Sequence, residues 1–147
     1  MPTEISTSQR SAASNAAVKA LKDGHHGNTP AGGIPQLRQA VVNDIAKYRG
    51  VDVDPDDVMI VPGGKVTMFF AMLMLGEAGA EIIYPNPGFP IYESVINFSG
   101  AKAVPMPLYE ETGHSFKAQE VLGLITPQTR LIILNSPANP TGGVVPR

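Results

Sequence analysis

Short apolar runs alternate with helical patterns along most of this chain, and the alternation restricts the folds open to it. Four runs read as strands: VMIV (58–61), EIIYP (81–85), AKAVPMPL (101–108) and LIILN (131–135). Strands that alternate with helices indicate βαβ units. Unbroken apolar runs are typical of parallel strands that are buried on both faces. We therefore predict an α/β fold with a mostly parallel sheet and helices on both faces.

The helical segments carry apolar residues at helical spacing, and several end at a glycine, as helices commonly do. The predicted helices cover residues 15–22, 35–49, 66–75, 91–99 and 116–125. Residues 1–14 are polar and rich in Ser and Ala, so we expect a poorly structured lead-in there. The folded domain is expected at residues 15–147.

The segment VTMFFAMLML (66–75) is apolar on every face, whereas a surface helix would show a polar stripe. This pattern predicts a helix that is buried on all sides, in a larger protein or against a partner. A Met-rich binding surface is the alternative, but a central core helix is the more usual outcome for such residues.

The composition excludes several classes of function. The net charge of −2 offers no basic surface for nucleic acid, and the absence of cysteine excludes disulfides and thiolate metal sites. No apolar stretch of about eighteen residues is present, so no membrane span is expected. The N-terminal residues contain no apolar signal core. We therefore expect a soluble, cytoplasmic protein.

Three loops that combine glycine, proline and polar residues each follow a predicted apolar strand: PGGK (62–65), PNPGFP (85–90) and SPANPTGG (136–143). Ligands gather at the carboxyl ends of parallel strands, so neighbouring strands would bring these loops to one site. Gly63, Gly64 and Lys65 precede a helix, where free N–H groups and the helix dipole favour an anion such as phosphate. A tight turn without a ligand is an equally good interpretation of this loop.

The other two loops each present one candidate side chain. Phe89 lies in a loop stiffened by three prolines and could offer its ring for stacking, although a lone Phe more often fills the core. Asn139, fixed by the proline that follows, offers an uncharged amide that can donate or accept a hydrogen bond. An ordinary Asn-Pro turn is the alternative.

The remaining candidates are weaker. His25 and His26 have no third ligand in view, so no metal site is predicted. The aspartates at 52, 54, 56 and 57 lack the spacing and the terminal Glu of a calcium-binding EF-hand loop. No serine lies in a nucleophile-elbow context, so no Ser-His-Asp triad is predicted.

Taken together and in this order, the loops resemble those of the class I/II aminotransferases, pyridoxal-phosphate enzymes of fold type I. The resemblance runs from about residue 16 to residue 147 and rests on four segments: NTPAGGIPQLRQAV, DDVMIVPGGKVTMFFAMLML, GAEIIYPNPGFPIYESV and LITPQTRLIILNSPANPTGG. It implies a pyridoxal 5'-phosphate cofactor, transfer of an amino group between an amino acid and a 2-oxo acid, and a homo-oligomer.

The resemblance also implies roles for the candidate residues. Gly63, Gly64 and Lys65 would hold the cofactor phosphate, and the helix at 66–75 would be the anion-binding helix. Phe89 would stack on the pyridine ring, and Asn139 would hydrogen-bond the phenolic oxygen. Many members of the family have a tyrosine at the position of Asn28 that reaches the phosphate of the neighbouring subunit.

The family's Schiff-base lysine lies far C-terminal of its NPTG motif, beyond Arg147, so no catalytic residue is predicted in this chain. None of its lysines occupies a matching context: Lys19, Lys22, Lys47, Lys65, Lys102 and Lys117. We therefore expect an N-terminal fragment of an aminotransferase that is inactive alone. The alternatives are a non-catalytic module that binds phosphate or pyridoxal phosphate, or that oligomerises, and an unrelated nucleotide binder.

Overall fold

The structure, a computed structural model, describes residues 7–145. The chain divides into two compact units, Met1–Ile60 and Val61–Arg147. The first unit contains two helices, α1 (Thr7–Lys22) and α2 (Pro35–Arg49), and a short 3-10 helix at Pro55–Asp57. Helix α2 begins with a proline and ends at Gly50, which has a φ of 66° and donates its N–H to the carbonyl of Ala46.

Helix α1 begins earlier than the sequence predicted. The expected lead-in at residues 7–14 is helical, so that prediction is wrong for these residues, and residues 1–6 lie outside the described part of the chain. The segment TSQRSAAS contains no Gly or Pro, and its Ala, Gln and Arg residues favour a helix. The polar composition suggested disorder, but these propensities allow the helix to extend to Thr7.

The predicted strand at residues 58–61 is also wrong, because these residues form no strand. Instead, the Ile60 N–H donates to the carbonyl of Gly32 at 3.0 Å. A Cβ on Gly33 would lie 2.5 Å from Ile60 Cγ1, and Gly33 has a φ of 94°, so only glycine suits this close approach. A strand needs a neighbouring strand for its backbone hydrogen bonds, and VMIV pairs with none of the strands that the structure describes.

The second unit contains the sheet and three helices. Its elements in chain order are α3 (Gly64–Leu75), β1 (Glu81–Asn86), α4 (Ile91–Ser99), β2 (Lys102–Pro107), a 3-10 helix at Glu110–Thr112, α5 (Ala118–Leu124) and β3 (Thr129–Ile132). The predicted order of strands and helices after residue 62 is therefore confirmed. Strand β3 begins and ends earlier than the predicted run at residues 131–135.

The three strands form a parallel sheet in the order β2-β1-β3. In the central strand, Ile83 lies opposite Val104 of β2 and opposite Ile132 of β3. The Ile133 N–H then donates to the carbonyl of Ile83 at 2.9 Å. Strand β1 therefore has a partner on each side, which explains why its apolar run is almost entirely buried.

Helices cover both faces of this sheet, as predicted. On one face, Ile82 and Tyr84 join a buried cluster with residues of α3 and α4. On the other, Ile83 packs with Val121 of α5. Ile82 and Ile83 are both fully buried, and burial of such a side chain contributes about 1.5–3 kcal/mol. Successive side chains of β1 thus pack against the helices on opposite faces of the sheet.

Helix α3 is only partly buried in the chain by itself. Met72 is its fully buried residue, while Phe70 and Met74 are 56% and 82% exposed. Phe98 of α4 is 75% exposed, and its ring lies 6.4 Å from that of Phe69. Burial against a larger protein or a partner stays a prediction, and the chain by itself has an apolar surface at this helix. We call Phe70, Met74 and Phe98 the α3–α4 apolar surface.

Within residues 7–145, no helix combines the length and apolarity needed to cross a bilayer.

Candidate cofactor site

The loops that follow β1 and β3 lie at the same edge of the sheet, because these strands are parallel neighbours. The third loop, at residues 62–65, does not follow a strand, contrary to the prediction. It reaches the same region through α3, which packs against β3 and α4. As a result, Lys65 Nζ lies 5.5 Å from the centre of the Phe89 ring. The structure thus brings two of the predicted loops together.

The start of α3 has the features of an anion-binding helix N-terminus. Gly63 is the N-cap with a φ of 91°, no side chain caps the helix, and its first turn contains no acidic residue. The helix begins at Gly64 rather than at Val66, so Gly64 and Lys65 belong to its first turn. No heavy atom lies within 4 Å of a Cβ built on Gly63 or Gly64. The helix dipole therefore faces open space beside a lysine.

The loop that carries Phe89 folds back tightly on the end of β1. A Cβ on Gly88 would lie 2.1 Å from the carbonyl oxygen of Pro85, so the turn requires glycine. The Phe89 ring is half-buried and packs against the core cluster. It also meets the Tyr92 ring edge to face, with centroids 6.1 Å apart. Phe89 thus borders the core while part of its ring remains accessible beside Lys65.

The loop that carries Asn139 closes on itself. The Ala138 N–H donates to the carbonyl of Gly143 at 2.8 Å, and the Gly142 N–H donates to the carbonyl of Ala138 at 2.7 Å. Gly142 has a φ of 76°, which glycine adopts without strain. Ala138 is buried and Asn139 is exposed, so the loop presents the amide of Asn139 to solvent.

Asn135 and Tyr92 connect the two loops, and the sequence reasoning missed both residues. The amide orientation that satisfies every neighbour lets Asn135 Oδ1 accept from the Asn139 N–H at 3.2 Å and from the Tyr92 hydroxyl at 3.3 Å. Its Nδ2 then donates to the carbonyl of Pro137 at 3.0 Å. The signal that could have found them is a polar residue at the end of the apolar run LIILN, together with a tyrosine close to Phe89 in the sequence.

A second support for the Asn139 loop comes from the turn before α5. A Cβ on Gly143 would lie 2.5 Å from the carbonyl oxygen of His114, which itself has a positive φ of 54°. Thr112 Oγ1 bonds to the carbonyls of Tyr109 and Ser115 and closes this turn. Gly143 therefore lets the loop rest directly on the backbone of the turn.

Two residues of β1 have shifted pKa values. Hydrogen bonds from Lys102 and Thr126 lower the pKa of Glu81, which begins β1 at the opposite end from Phe89. Burial, followed by the charge of Glu93 and a hydrogen bond to it, raises the pKa of Tyr84. Neither residue belongs to the predicted site.

The weaker candidates of the sequence all lie in the first unit. His25, His26 and Asn28 belong to the first unit, as do the aspartates at 52–57. In the described part of the chain, no group of three or more His, Asp or Glu residues is placed to hold a metal ion.

The fold, and the loops at this edge of the sheet, define an α/β protein with its candidate site at the carboxyl ends of parallel strands. The family described as "Aminotransferase class I and II" matches the chain over residues 4–147. The chain belongs to this family. The resemblance inferred from the four sequence segments is therefore confirmed.

Curated relatives and solved structures agree with this assignment. The chain is 38% identical to the aspartate aminotransferase of Pyrococcus horikoshii, over 88% of this chain and 33% of that protein. It is 33% identical to the probable aspartate/prephenate aminotransferase of Aquifex aeolicus, over 88% and 33% of the two chains. The aspartate aminotransferase from Thermus thermophilus with maleate superposes with a TM-score of 0.86, at 32% identity, over 91% of this chain and 35% of that chain.

These matches show how much of its relatives' length the chain covers. It spans about a third of the length of the curated relatives that it matches. The high TM-score shows that the described residues adopt the fold of the corresponding part of those enzymes.

Proposed function

We propose that the three loops hold pyridoxal 5'-phosphate, as part of a protein that transfers amino groups between an amino acid and a 2-oxo acid. One observation carries the proposal: Lys65, in the first turn of a helix without a side-chain cap, lies over the half-buried ring of Phe89. A cation and a helix start suit a phosphate, and an aromatic ring beside them suits a flat heterocycle. Family membership supports this choice of cofactor.

The residues present fit that cofactor in shape and charge. The space over Gly63 and Gly64 is open, so a phosphate can approach the backbone N–H groups of the helix start. Lys65 adds a positive charge, and the first turn of α3 has no carboxylate to repel an anion. We assign the phosphate to Gly63, Gly64 and Lys65.

The ring of the cofactor would be held by the other two loops. The half-buried ring of Phe89 is fixed by Gly88 and Tyr92, so stacking on it loses little conformational entropy. The exposed amide of Asn139 can donate to a ring oxygen without adding charge. Phe89 therefore orients the ring plane, and Asn139 orients the ring within that plane.

When bound, pyridoxal phosphate supplies an electron sink for bond cleavage at the α-carbon of an amino acid. The contribution of this chain is to bind and orient the cofactor. No residue of this chain is assigned the covalent bond to the cofactor, so we propose that the chain alone does not turn over substrates. Homo-oligomer formation belongs to the same proposal, and a cytoplasmic location stays a prediction.

Gly64→Asp tests the proposal, because it separates anion binding from helix stability. The position has ordinary φ and open space, so the side chain fits. A carboxylate in the first turn stabilises a helix by about 0.3–1 kcal/mol, yet it repels a phosphate. We expect the melting temperature to hold or rise while the affinity for pyridoxal phosphate, measured by equilibrium titration, falls at least tenfold.

Gly64→Asn is the matched control, since it has nearly the same size without the charge, and it should lose much less affinity. Titration with ATP and with NAD identifies a nucleotide binder instead. The proposal fails if the wild-type chain binds these nucleotides more tightly than pyridoxal phosphate. It also fails if Gly64→Asp binds pyridoxal phosphate as well as the wild type does.

A second candidate function, a non-catalytic oligomerising module, is favoured by one observation. The α3–α4 apolar surface is formed by Phe70, Met74 and Phe98, which are all more than half exposed, and such surfaces mark protein interaction sites. Self-association together with no measurable affinity for pyridoxal phosphate would favour this candidate over the first.

A further inference from the structure

The two loops proposed to hold the cofactor ring are joined by a buried tyrosine. Tyr92 lies in the first turn of α4 and is 3% exposed. Its ring meets Phe89 edge to face, and its Cδ2 atom would be 3.3 Å from a Cβ on Gly88. Its position is therefore fixed by the loop that follows β1.

The hydroxyl of the same tyrosine reaches the other loop. It lies 3.3 Å from the side-chain amide of Asn135, which follows β3. A tyrosine hydroxyl buried this deeply needs a hydrogen-bond partner, and Asn135 supplies an acceptor. The same oxygen of Asn135 accepts the backbone N–H of Asn139 at 3.2 Å.

We propose that Tyr92 and Asn135 are positioning residues, which hold the Asn139 amide in a fixed relation to the Phe89 ring. This inference rests on the proposed function, because Phe89 and Asn139 are the two groups assigned to the cofactor ring. Tyr92 contacts the Phe89 loop through its ring and the Asn139 loop through its hydroxyl. A shift of either loop would break one of these contacts, so the two loops are fixed together.

The bond geometry makes the contribution of the hydroxyl separable from that of the ring. Tyr92→Phe keeps the aromatic contact with Phe89 and removes the hydroxyl that bonds Asn135. Asn135→Ala removes the acceptor of both hydrogen bonds. Tyr109→Phe is the matched control, since Tyr109 belongs to the same unit and is 56% exposed.

The first measurement is amide hydrogen exchange in the chain without any cofactor. A backbone N–H is protected by its hydrogen bond and by the rigidity of its surroundings. We expect Tyr92→Phe to accelerate hydrogen exchange at the backbone N–H of Asn139 about fivefold, which is the usual effect of one lost hydrogen bond. Asn135→Ala should have a larger effect, and Tyr109→Phe none.

The second measurement compares affinities for pyridoxal phosphate and inorganic phosphate. We expect Tyr92→Phe to weaken the binding of pyridoxal phosphate about threefold to fivefold. The affinity for inorganic phosphate should not change, because the phosphate is assigned to the start of α3. A general loss of structure would weaken both ligands. In an Asn139→Ala background, Tyr92→Phe should have no further effect on pyridoxal phosphate affinity.

The outcomes separate this inference from the proposed function. If Asn139→Ala leaves pyridoxal phosphate affinity unchanged, the assignment of Asn139 to the cofactor fails, and exchange at Asn139 alone then decides the inference. If the Asn139 backbone N–H exchanges at the same rate in Tyr92→Phe and in Tyr109→Phe, the inference is overturned whichever ligand binds. It is also overturned if Tyr92→Phe weakens inorganic phosphate and pyridoxal phosphate equally.

Discussion

The Nζ atom of Lys65 lies 5.5 Å from the centre of the Phe89 ring, so the first turn of α3 and the loop after β1 meet. This distance allows a favourable cation–π contact. It also places a positive charge beside an aromatic face, where a phosphorylated heterocycle would gain from both. The two residues should therefore contribute to binding in ways that different ligands can distinguish.

Lys65→Met should lower the affinity for inorganic phosphate and for pyridoxal phosphate by the same factor. The methionine keeps part of the apolar stem but removes a charge-assisted contact, which is worth about 1.5–3 kcal/mol, or roughly tenfold or more in affinity. Phe89→Leu should weaken pyridoxal phosphate alone, because inorganic phosphate has no ring to stack. Equilibrium titration of both ligands checks this, with Lys117→Met as the control for a lysine outside the proposed site. An equal loss of both ligands in Phe89→Leu would contradict the separation.

Gly143→Ala should destabilise the second unit. The added Cβ would lie 2.5 Å from the carbonyl oxygen of His114, which belongs to the backbone and cannot rotate away. Overpacking of this kind costs about 1–3 kcal/mol in the free energy of unfolding. Gly123→Ala is the control, since open space surrounds that helical glycine. This substitution should raise the free energy of unfolding by about 0.5–1 kcal/mol. Urea denaturation measures both, and equal values for the two variants would refute the contact.

Glu81→Gln should lower the stability at neutral pH and have less effect in acid. Hydrogen bonds from Lys102 and Thr126 hold the pKa of Glu81 below its ordinary value of 4.5 in the folded chain. The carboxylate therefore contributes stability above that pH, and the contribution is lost as the pH falls through the lowered pKa. Denaturant unfolding at pH 7 and at pH 3 gives the comparison. Glu111→Gln, which removes a carboxylate at an exposed position, is the control variant. The explanation is wrong if Glu81→Gln is equally destabilising at both pH values.

Met74→Gln and Phe98→Gln should reduce self-association of the chain. Both residues belong to the α3–α4 apolar surface, and the methionine is 82% exposed. Burial of one such side chain against a partner contributes about 1.5–3 kcal/mol, so each substitution should weaken association at least tenfold. Sedimentation velocity over a range of concentrations measures the change. Tyr109→Gln serves as the control outside this surface. A wild-type chain that stays monomeric at high concentration would rule out the prediction.

Elements whose signals are local could be predicted from the sequence. Helix α4 is amphipathic and ends at Gly100, which has a φ of 84°, and both features were readable. The apolar run of β1 predicted a strand buried on both faces, and its central position in the sheet explains why. A helix that begins close to the glycines at 63 and 64 could also be predicted, because a helix start requires little beyond its own residues.

Features that depend on distant partners could not be predicted. The run at residues 58–61 has the composition of a strand, yet composition does not supply the neighbour with which a strand pairs. Tyr92 and Asn135 meet only because β3 returns to the side of β1, and no spacing in the sequence shows this.

The strand order β2-β1-β3 has a further consequence for how this segment can vary. Phe89 and Asn139 are far apart in the sequence, but their loops leave adjacent strands, which lie about 4.8 Å apart. The intervening chain runs out to β2 and back through α5. The pairing of β1 with β3, and not the length of this excursion, sets the distance between the two loops. Homologous chains can therefore gain or lose length there and still keep the spacing between a stacking ring and an amide.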